Sequence, residues 1–256
     1  MSASDQLKNT FSQVVATYDY ARPTYPRELC EQIVTFAGLE RGANLLEVGA
    51  GTGQATELFF DYSPTLLEVS DEQVSFLRRK YPSLRVDKDY FEDYVADQPF
   101  DLIYSATAFH WVDSAVGYPK AWRMLKDSGS MAVFWHMSSV MHYDCGIFPL
   151  LNAVKLKYMP NASLGFDDVG VEAVRQKRFS QFQSGGYFSK PELFEYRWTD
   201  LYDANRYTAL VESYSDTQLL PENTRRAYLD DLRTTIEHNG GKVEIPQHVL
   251  LFIQKK

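Results

Sequence analysis

The sequence predicts an α/β protein built on a doubly wound, mostly parallel sheet. Two observations carry that expectation. Between residues 44 and 135, short apolar runs alternate with amphipathic stretches of helical period, at the spacing of strand–helix–strand crossovers. The first apolar run also opens into a loop with a glycine at every second position, where such a sheet would turn from strand to helix.

The elements follow in order. Residues 26–37 read as an amphipathic helix with Leu29, Ile33, Val34 and Ala37 on one face and Gly38 as its stop. Pro23 and Pro26 bar a helix just before it. Strands are expected at 44–48, 64–68, 84–86, 101–105 and 130–135. Helices are expected at 53–61, at 71–80 with Val74, Phe76 and Leu77 inward, and at 113–125 with Trp122 and Leu125 inward. After residue 136 the alternation stops. Residues 137–193 read as a helical insertion after the fifth strand, with helix-like pieces at 146–158 and 167–176. A strand at 194–202, helices at 204–214 and 221–238, a Gly240-Gly241 turn and a strand at 248–253 complete the chain. The turn predicts that the last strand closes the sheet edge antiparallel.

A chain of 256 residues, 45% hydrophobic and 23% charged, can bury a sizeable core without staples. Two cysteines, Cys30 and Cys145, are too few for a disulfide scaffold or zinc ribbon and fit a reducing compartment. No apolar run approaches the ~20 residues that span a bilayer, and the first ten residues lack an apolar core. The expected location is therefore cytoplasmic, with no membrane partner. A net charge of −8 disfavours a generic nucleic-acid binder. The 17 tyrosines would suit core packing, or a pocket that stacks an aromatic ring or surrounds a cation.

The informative stretch is Leu45-Leu-Glu-Val-Gly-Ala-Gly-Thr-Gly-Gln54. Glycine permits a sharp turn and lets a ligand reach the backbone. A helix beginning there would present amide donors to that ligand. A dinucleotide fingerprint would need a small residue at position 54, where Gln54 stands, which disfavours a nicotinamide-dependent oxidoreductase. The acidic Glu68 ends the second strand about 20 residues after Glu47, where a carboxylate can accept both hydroxyls of a ribose. His136, His142 and Asp144 are the nearest approach to a metal set. They read more simply as loop residues, so no metal is expected.

The glycine loop resembles that of class I S-adenosylmethionine-dependent methyltransferases. Their pattern, acidic-x-G-x-G-x-G, is met by Glu47-Val-Gly49-Ala-Gly51-Thr-Gly53. The resemblance implies a Rossmann-like, seven-stranded, mostly parallel sheet with an antiparallel C-terminal edge strand. It also implies S-adenosyl-L-methionine as cofactor. Glu47, Gly49, Ala50, Gly51 and Gly53 would lie under its methionine and ribose, and Glu68 with Val69 at the ribose. The loop Asp89-Tyr-Phe-Glu-Asp-Tyr94 would border the adenine through Tyr90 and Phe91, with Asp89 and Glu92 competing for a polar contact.

Residues 100–113, with the pair His110-Trp111, resemble a small-molecule subgroup that includes trans-aconitate methyltransferase-like proteins. In that likeness Ser105 and Ala106 line the methionine end and His110 faces the pocket. His110 is also the candidate for proton transfer, beside the plainer reading of a hydrogen-bonded structural residue. Trp111 reads as core. Tyr18-Asp-Tyr-Ala-Arg-Pro-Thr-Tyr-Pro26 resembles the subgroup's N-terminal segment, so that Tyr18, Arg22 and Tyr25 would reach cofactor or substrate. Residues 207–215 and Gly240-Gly241 extend the likeness.

The whole chain then reads as a single domain. Residues 1–37 form a cofactor-covering arm and helix, and residues 137–193 cap the acceptor pocket. The implied activity is in-line methyl transfer to a small-molecule acceptor, a carboxylic acid being the acceptor class the likeness favours. The alternative is a non-catalytic S-adenosylmethionine-binding regulator of the same fold. Net charge and the lack of a recognition domain disfavour a nucleic-acid or protein acceptor.

Overall fold

The computed structural model describes residues 19–137, 146–162, 168–183 and 186–256. Helix α1 (Arg27–Ala37) precedes β1 (Leu45–Val48), a 3₁₀ helix (Thr56–Tyr62), β2 (Thr65–Glu68), α2 (Asp71–Lys80) and β3 (Val86–Lys88). Then come β4 (Phe100–Ala106), a 3₁₀ turn (Phe109–Trp111), α3 (Ser114–Met124) and β5 (Leu125–His136). Helices α4 (Phe148–Tyr158) and α5 (Asp168–Gln183) are followed by β6 (Glu192–Asp203), α6 (Ala204–Glu212), α7 (Ser215–Gln218), α8 (Glu222–His238) and β7 (Lys242–Lys255).

The sheet has seven strands in the order β3-β2-β1-β4-β5-β7-β6. Strands β1 to β5 pair in parallel and β7 runs antiparallel to β5. The doubly wound architecture is therefore as the sequence predicts. The strand order reverses between β1 and β4, and open α/β sheets bind ligands at the carboxyl ends beside such a switch.

The residues explain the elements. All four residues of β1 are buried, the pattern of a strand covered on both faces. Helix α2 starts on Ser70, whose hydroxyl accepts the Gln73 N–H at 3.3 Å. Asp71 and Glu72 in its first turn and Arg78, Arg79 and Lys80 in its last match the helix dipole. Its buried residues Val74 and Leu77 join Ala50, Leu66, Tyr81, Leu84 and Val86 in one apolar cluster.

The chain divides into two compact units. One contains residues 24–137, 172–196 and 248–256, with β1 to β5. The other comprises residues 19–23, 146–162, 168–171 and 197–247 among those described. Its core gathers Phe148, Leu151, Tyr202, Tyr207, Leu210, Tyr228, Leu232 and Ile236. The 137–193 segment expected as one insertion is shared between the units, and residues 138–145, 163–167 and 184–185 lie outside the described set.

Other differences have physical causes. The helix expected at 53–61 is a 3₁₀ helix at Thr56–Tyr62, because the glycine loop consumes the residues that would open an α-helix. Strand β5 begins at Leu125, five residues early, because Leu125 already pairs with Phe100 before an irregularity leads to the regular register from Ser130. Strand β7 is longer than expected and lies inside β6, which takes the outer place. Trp111, read as core, is 83% exposed. It follows buried Phe109 in a single 3₁₀ turn, which is too short to bury both rings on one side. Phe76 and Trp122 are part-buried.

Leu77 is fully buried, so Leu77→Ala should destabilise the fold by about 2–5 kcal/mol through lost contacts and a residual cavity. Urea unfolding at neutral pH measures this. A loss below about 1 kcal/mol would show that α2 does not anchor this face of the sheet.

Candidate functional site

The site forms where β1, β2, β4 and β5 end. Leaving β1, the Gly49 and Ala50 amides donate to the Leu67 carbonyl at 2.8 and 3.2 Å, tying the loop to the end of β2. Gly49 and Gly53 adopt left-handed backbone (φ +71° and +89°), and each packs too tightly for a side chain. A Cβ would lie 2.5 Å from Ala108 Cβ at the first and 2.5 Å from the Tyr81 ring at the second. Gly51 is different. It is also left-handed, at φ +60°, but a Cβ there would meet nothing within 4 Å. Its backbone faces open space.

Glu68 organises the loop. Its Oε2 accepts the Gly51 N–H at 2.8 Å, and its Oε1 accepts those of Val69 at 2.8 Å and Ser70 at 3.1 Å. The carboxylate is 5% exposed. Each oxygen offers two lone pairs, so one acceptor position remains on Oε2. The expectation that Glu68 binds both hydroxyls of a diol therefore narrows: one finds an open lone pair, and the second must displace a backbone amide.

Glu47 lies beneath the loop, 1% exposed. Its Oε2 accepts from Thr56 Oγ1 at 2.7 Å and Tyr104 OH at 2.8 Å. It joins β1 to β4 and to the segment after the loop. Burial, opposed by those two hydrogen bonds and assisted by the Glu68 charge, pushes its carboxyl up to about 7. Tyr81 holds the far side of the loop, the single proton of its hydroxyl facing two acceptors, the Gly53 carbonyl at 3.0 Å and Glu57 at 2.9 Å.

At the tip of β4 the Ser105 hydroxyl donates to the Val48 carbonyl at 2.7 Å. It stitches β4 to β1; Ala106 beside it is part-buried. The next residue, Thr107, has φ +52°, costly for a β-branched side chain. Its amide donates to the Phe134 carbonyl at 2.8 Å. Its hydroxyl shares a 3.0 Å hydrogen bond with the Tyr25 phenol and accepts the His136 N–H at 3.3 Å. The Tyr25 ring sits 4.5 Å from that of His136 and edge-on to Phe134 at 4.8 Å. Nothing in the sequence signals strain at Thr107, since threonine ordinarily avoids that conformation.

His110 follows β4. The Trp135 indole N–H donates to its Nδ1 at 3.3 Å, and its ring lies 5.0 Å from that of Trp111. Burial, then the charges of Arg178 and Lys177, lower its pKa below the ordinary histidine value. Arg178, on α5, lies with its guanidinium 4.8 Å from the Trp135 ring centroid. Sequence reasoning missed Arg178, because it stands in the 137–193 segment, where no motif was recognised.

The other expected residues are dispersed. Val69 is 46% and Tyr90 63% exposed. Phe91 is buried against Phe109 at 5.5 Å, so it supports the 89–94 loop from within. Glu92 accepts the Asp113 amide and Asp89 the Tyr90 amide, which engages both rivals for the polar contact in loop structure. Arg22 lies in the helical unit, 5.1 Å above the Tyr214 ring. Tyr18, His142 and Asp144 lie outside the described residues. Among the described residues no group of three or more histidines, cysteines and carboxylates could hold a metal, and no helix is long and apolar enough to cross a membrane.

Residues 46–133 match the profile of the methyltransferase domain family. That match covers about a third of the chain. The cofactor that the glycine-loop resemblance implies is S-adenosylmethionine. An uncharacterized methyltransferase of Schizosaccharomyces pombe is 28% identical over 136 residues, covering 51% of this chain and 54% of that protein. The match thus spans about half of that relative's length. An uncharacterized methyltransferase-like protein of the same yeast is 23% identical over 256 residues, covering 96% and 95%. Among solved structures, a putative type II methyltransferase from Anaeromyxobacter dehalogenans superposes with a TM-score of 0.56 at 17% identity, over 91% of this chain and 97% of that one. That likeness shows the shared fold.

The residues fit the cofactor. Gly51 presents bare backbone to open space, and Glu68 keeps one acceptor position beside it.

The raised Glu47 carboxyl makes a testable statement about stability. Between about pH 4.5 and 7 the folded protein retains a proton that the unfolded chain releases. Stability therefore falls as pH rises through that window, by about 3 kcal/mol in all. Glu47→Gln should lack this loss. Urea unfolding of both proteins at pH 4.5, 5.5 and 7 reads the difference, and parallel profiles would refute the raised carboxyl.

Proposed function

We propose that the protein transfers the methyl group of S-adenosylmethionine to a small-molecule acceptor by in-line displacement. The cradle formed by Gly51 and Glu68 at the strand-order switch carries this reading. The likeness of residues 100–113 to the trans-aconitate methyltransferase-like subgroup, together with the net charge of −8, supports a small acceptor over a nucleic acid.

When bound, S-adenosylmethionine supplies a methyl on a sulfonium, which needs no further activation. The protein's task is placement. Gly49, Ala50, Gly51 and Gly53 let the backbone run beneath the cofactor, and Glu68 accepts a ribose hydroxyl at its remaining Oε2 position. Val69 beside Glu68 would border the ribose, and the exposed Tyr90 would border the adenine. Ala106 and the strained Thr107 border the methionine end, fixed by Tyr25 and the His136 amide. Glu47 acts from below by holding β1, β4 and the residues after the loop in register.

The test is release of S-adenosylhomocysteine from the protein, S-adenosylmethionine and a panel of small carboxylic acids, alcohols and amines. Product formed with one acceptor class supports the reading. Tight cofactor binding with no turnover on any class would favour the regulatory alternative. Two variants probe the cradle. Gly51→Val fills the open space above the loop and should abolish cofactor binding in a folded protein. Glu68→Ala removes an acceptor and frees the Gly51 amide, and should weaken binding by about 1–3 kcal/mol. Equilibrium dialysis with labelled cofactor measures both, and wild-type affinity in either would refute the assignment.

A further inference from the structure

One indole links two groups that the cofactor cradle does not use. Trp135, near the end of β5 and 5% exposed, donates its N–H to His110 Nδ1 at 3.3 Å, while the Arg178 guanidinium lies 4.8 Å from its ring centroid. The hydrogen bond decides the chemistry of His110. A nitrogen that accepts from an indole carries no proton of its own, so the neutral imidazole holds its proton on Nε2. Burial and the nearby charges of Arg178 and Lys177 favour that neutral form. His110 then offers a fixed N–H donor. The general-base role considered from the sequence would require the opposite tautomer.

Arg178 lacks a counter-charge. Its Nη1 donates to Gln181 Oε1 at 2.9 Å, its Nε is buried without a hydrogen-bond partner, and no carboxylate lies within ion-pair distance of it among the described residues. One turn earlier on the same helix, Arg175 pairs with Glu195, which also meets His248 Nε2 at 3.0 Å. Strand β6 therefore supplies a carboxylate to Arg175, and none reaches Arg178 among the described residues. A guanidinium that is partly buried and unneutralised favours an anion, which it can grip with two parallel N–H groups. Beside this pair Trp111 exposes 83% of its surface, with its ring 5.0 Å from that of His110. An exposed indole next to anion donors suits a ligand with an apolar body.

We propose that His110 and Arg178, braced by Trp135, form a site for an anionic oxygen group, a carboxylate or a phosphate monoester, on a molecule whose apolar part lies against Trp111. Assigning that molecule as the methyl acceptor rests on the function proposed above. The anion site rests on the geometry alone. The carboxylate or phosphate accepts from His110 Nε2–H and from the guanidinium, and no proton is transferred. His110 is on this account a binding residue and Trp135 a positioning residue.

The test titrates the wild-type protein with 3-phenylpropionate, phenyl phosphate and the neutral 3-phenylpropionamide, following the histidine side chains by long-range proton–nitrogen NMR. Both anions should bind at least tenfold more tightly than the amide and shift the His110 Nε2 signal. The ligand-free spectrum should show the Nε2-protonated tautomer. Whichever anion binds more tightly identifies the head group as carboxylate or phosphate. Arg178→Gln should weaken both anions at least tenfold, and Trp135→Phe should mix the two tautomers of His110. Equal affinity for the amide, no effect of Arg178→Gln, or an Nδ1-protonated His110 would overturn the proposal. S-adenosylhomocysteine titrated into the same wild-type sample keeps the two readings apart: its failure to bind would refute the methyltransferase function and leave the anion site to be judged on its own result.

Discussion

The site depends on one carboxylate. Glu68 gathers the amides of Gly51, Val69 and Ser70 onto two oxygens at the end of β2. Hydrogen bonds to a charged group contribute about 1.5–3 kcal/mol each, and a carboxylate this deeply buried would be costly without them. By fixing Gly51 in left-handed backbone, the contact opens the loop surface to a ligand. The remaining Oε2 position lies beside that opening. Glu68 thus sets the shape of the loop, and the proposed ligand contact would use the same group.

Around this centre the structure holds strain in place with hydrogen bonds. Thr107 keeps an unfavourable backbone conformation because its amide, its hydroxyl and the neighbouring Tyr25 are all engaged. The result places the β4 tip against the glycine loop, where Ala108 leaves no room for a side chain at Gly49. Glu47 performs the matching task from below. It remains buried because Thr56 and Tyr104 donate to it, and its raised carboxyl reflects what that burial costs. These contacts tie the carboxyl ends of β1 and β4 together.

The parallel half of the fold was legible because its signals are local. The apolar runs of β1, β2 and β4, the capped helix α2 and the glycine loop each announce themselves within a few residues. The candidates Gly51 and Glu68 were legible for the same reason, one in the glycine loop and one at the end of the next strand. What stayed hidden depends on contacts between distant residues. Arg178 gains its meaning only when α5 packs over β5, and the tautomer of His110 only when Trp135 meets it. Phe91 looked like a ligand contact because an aromatic residue in a polar loop reads alike whether it points outward or into the core. Trp111 looked buried for the converse reason. Strand β7 was expected at the edge because a closing hairpin turn shows direction but not rank in the sheet.

The central claim is that the Gly51–Glu68 cradle holds S-adenosylmethionine. Calorimetric titration of the wild-type protein with S-adenosylmethionine and S-adenosylhomocysteine, with NADH as control, tests it most directly. The account predicts one site of micromolar affinity for the first two and no heat with the third. Binding of NADH, or no binding of either sulfur compound, would contradict it.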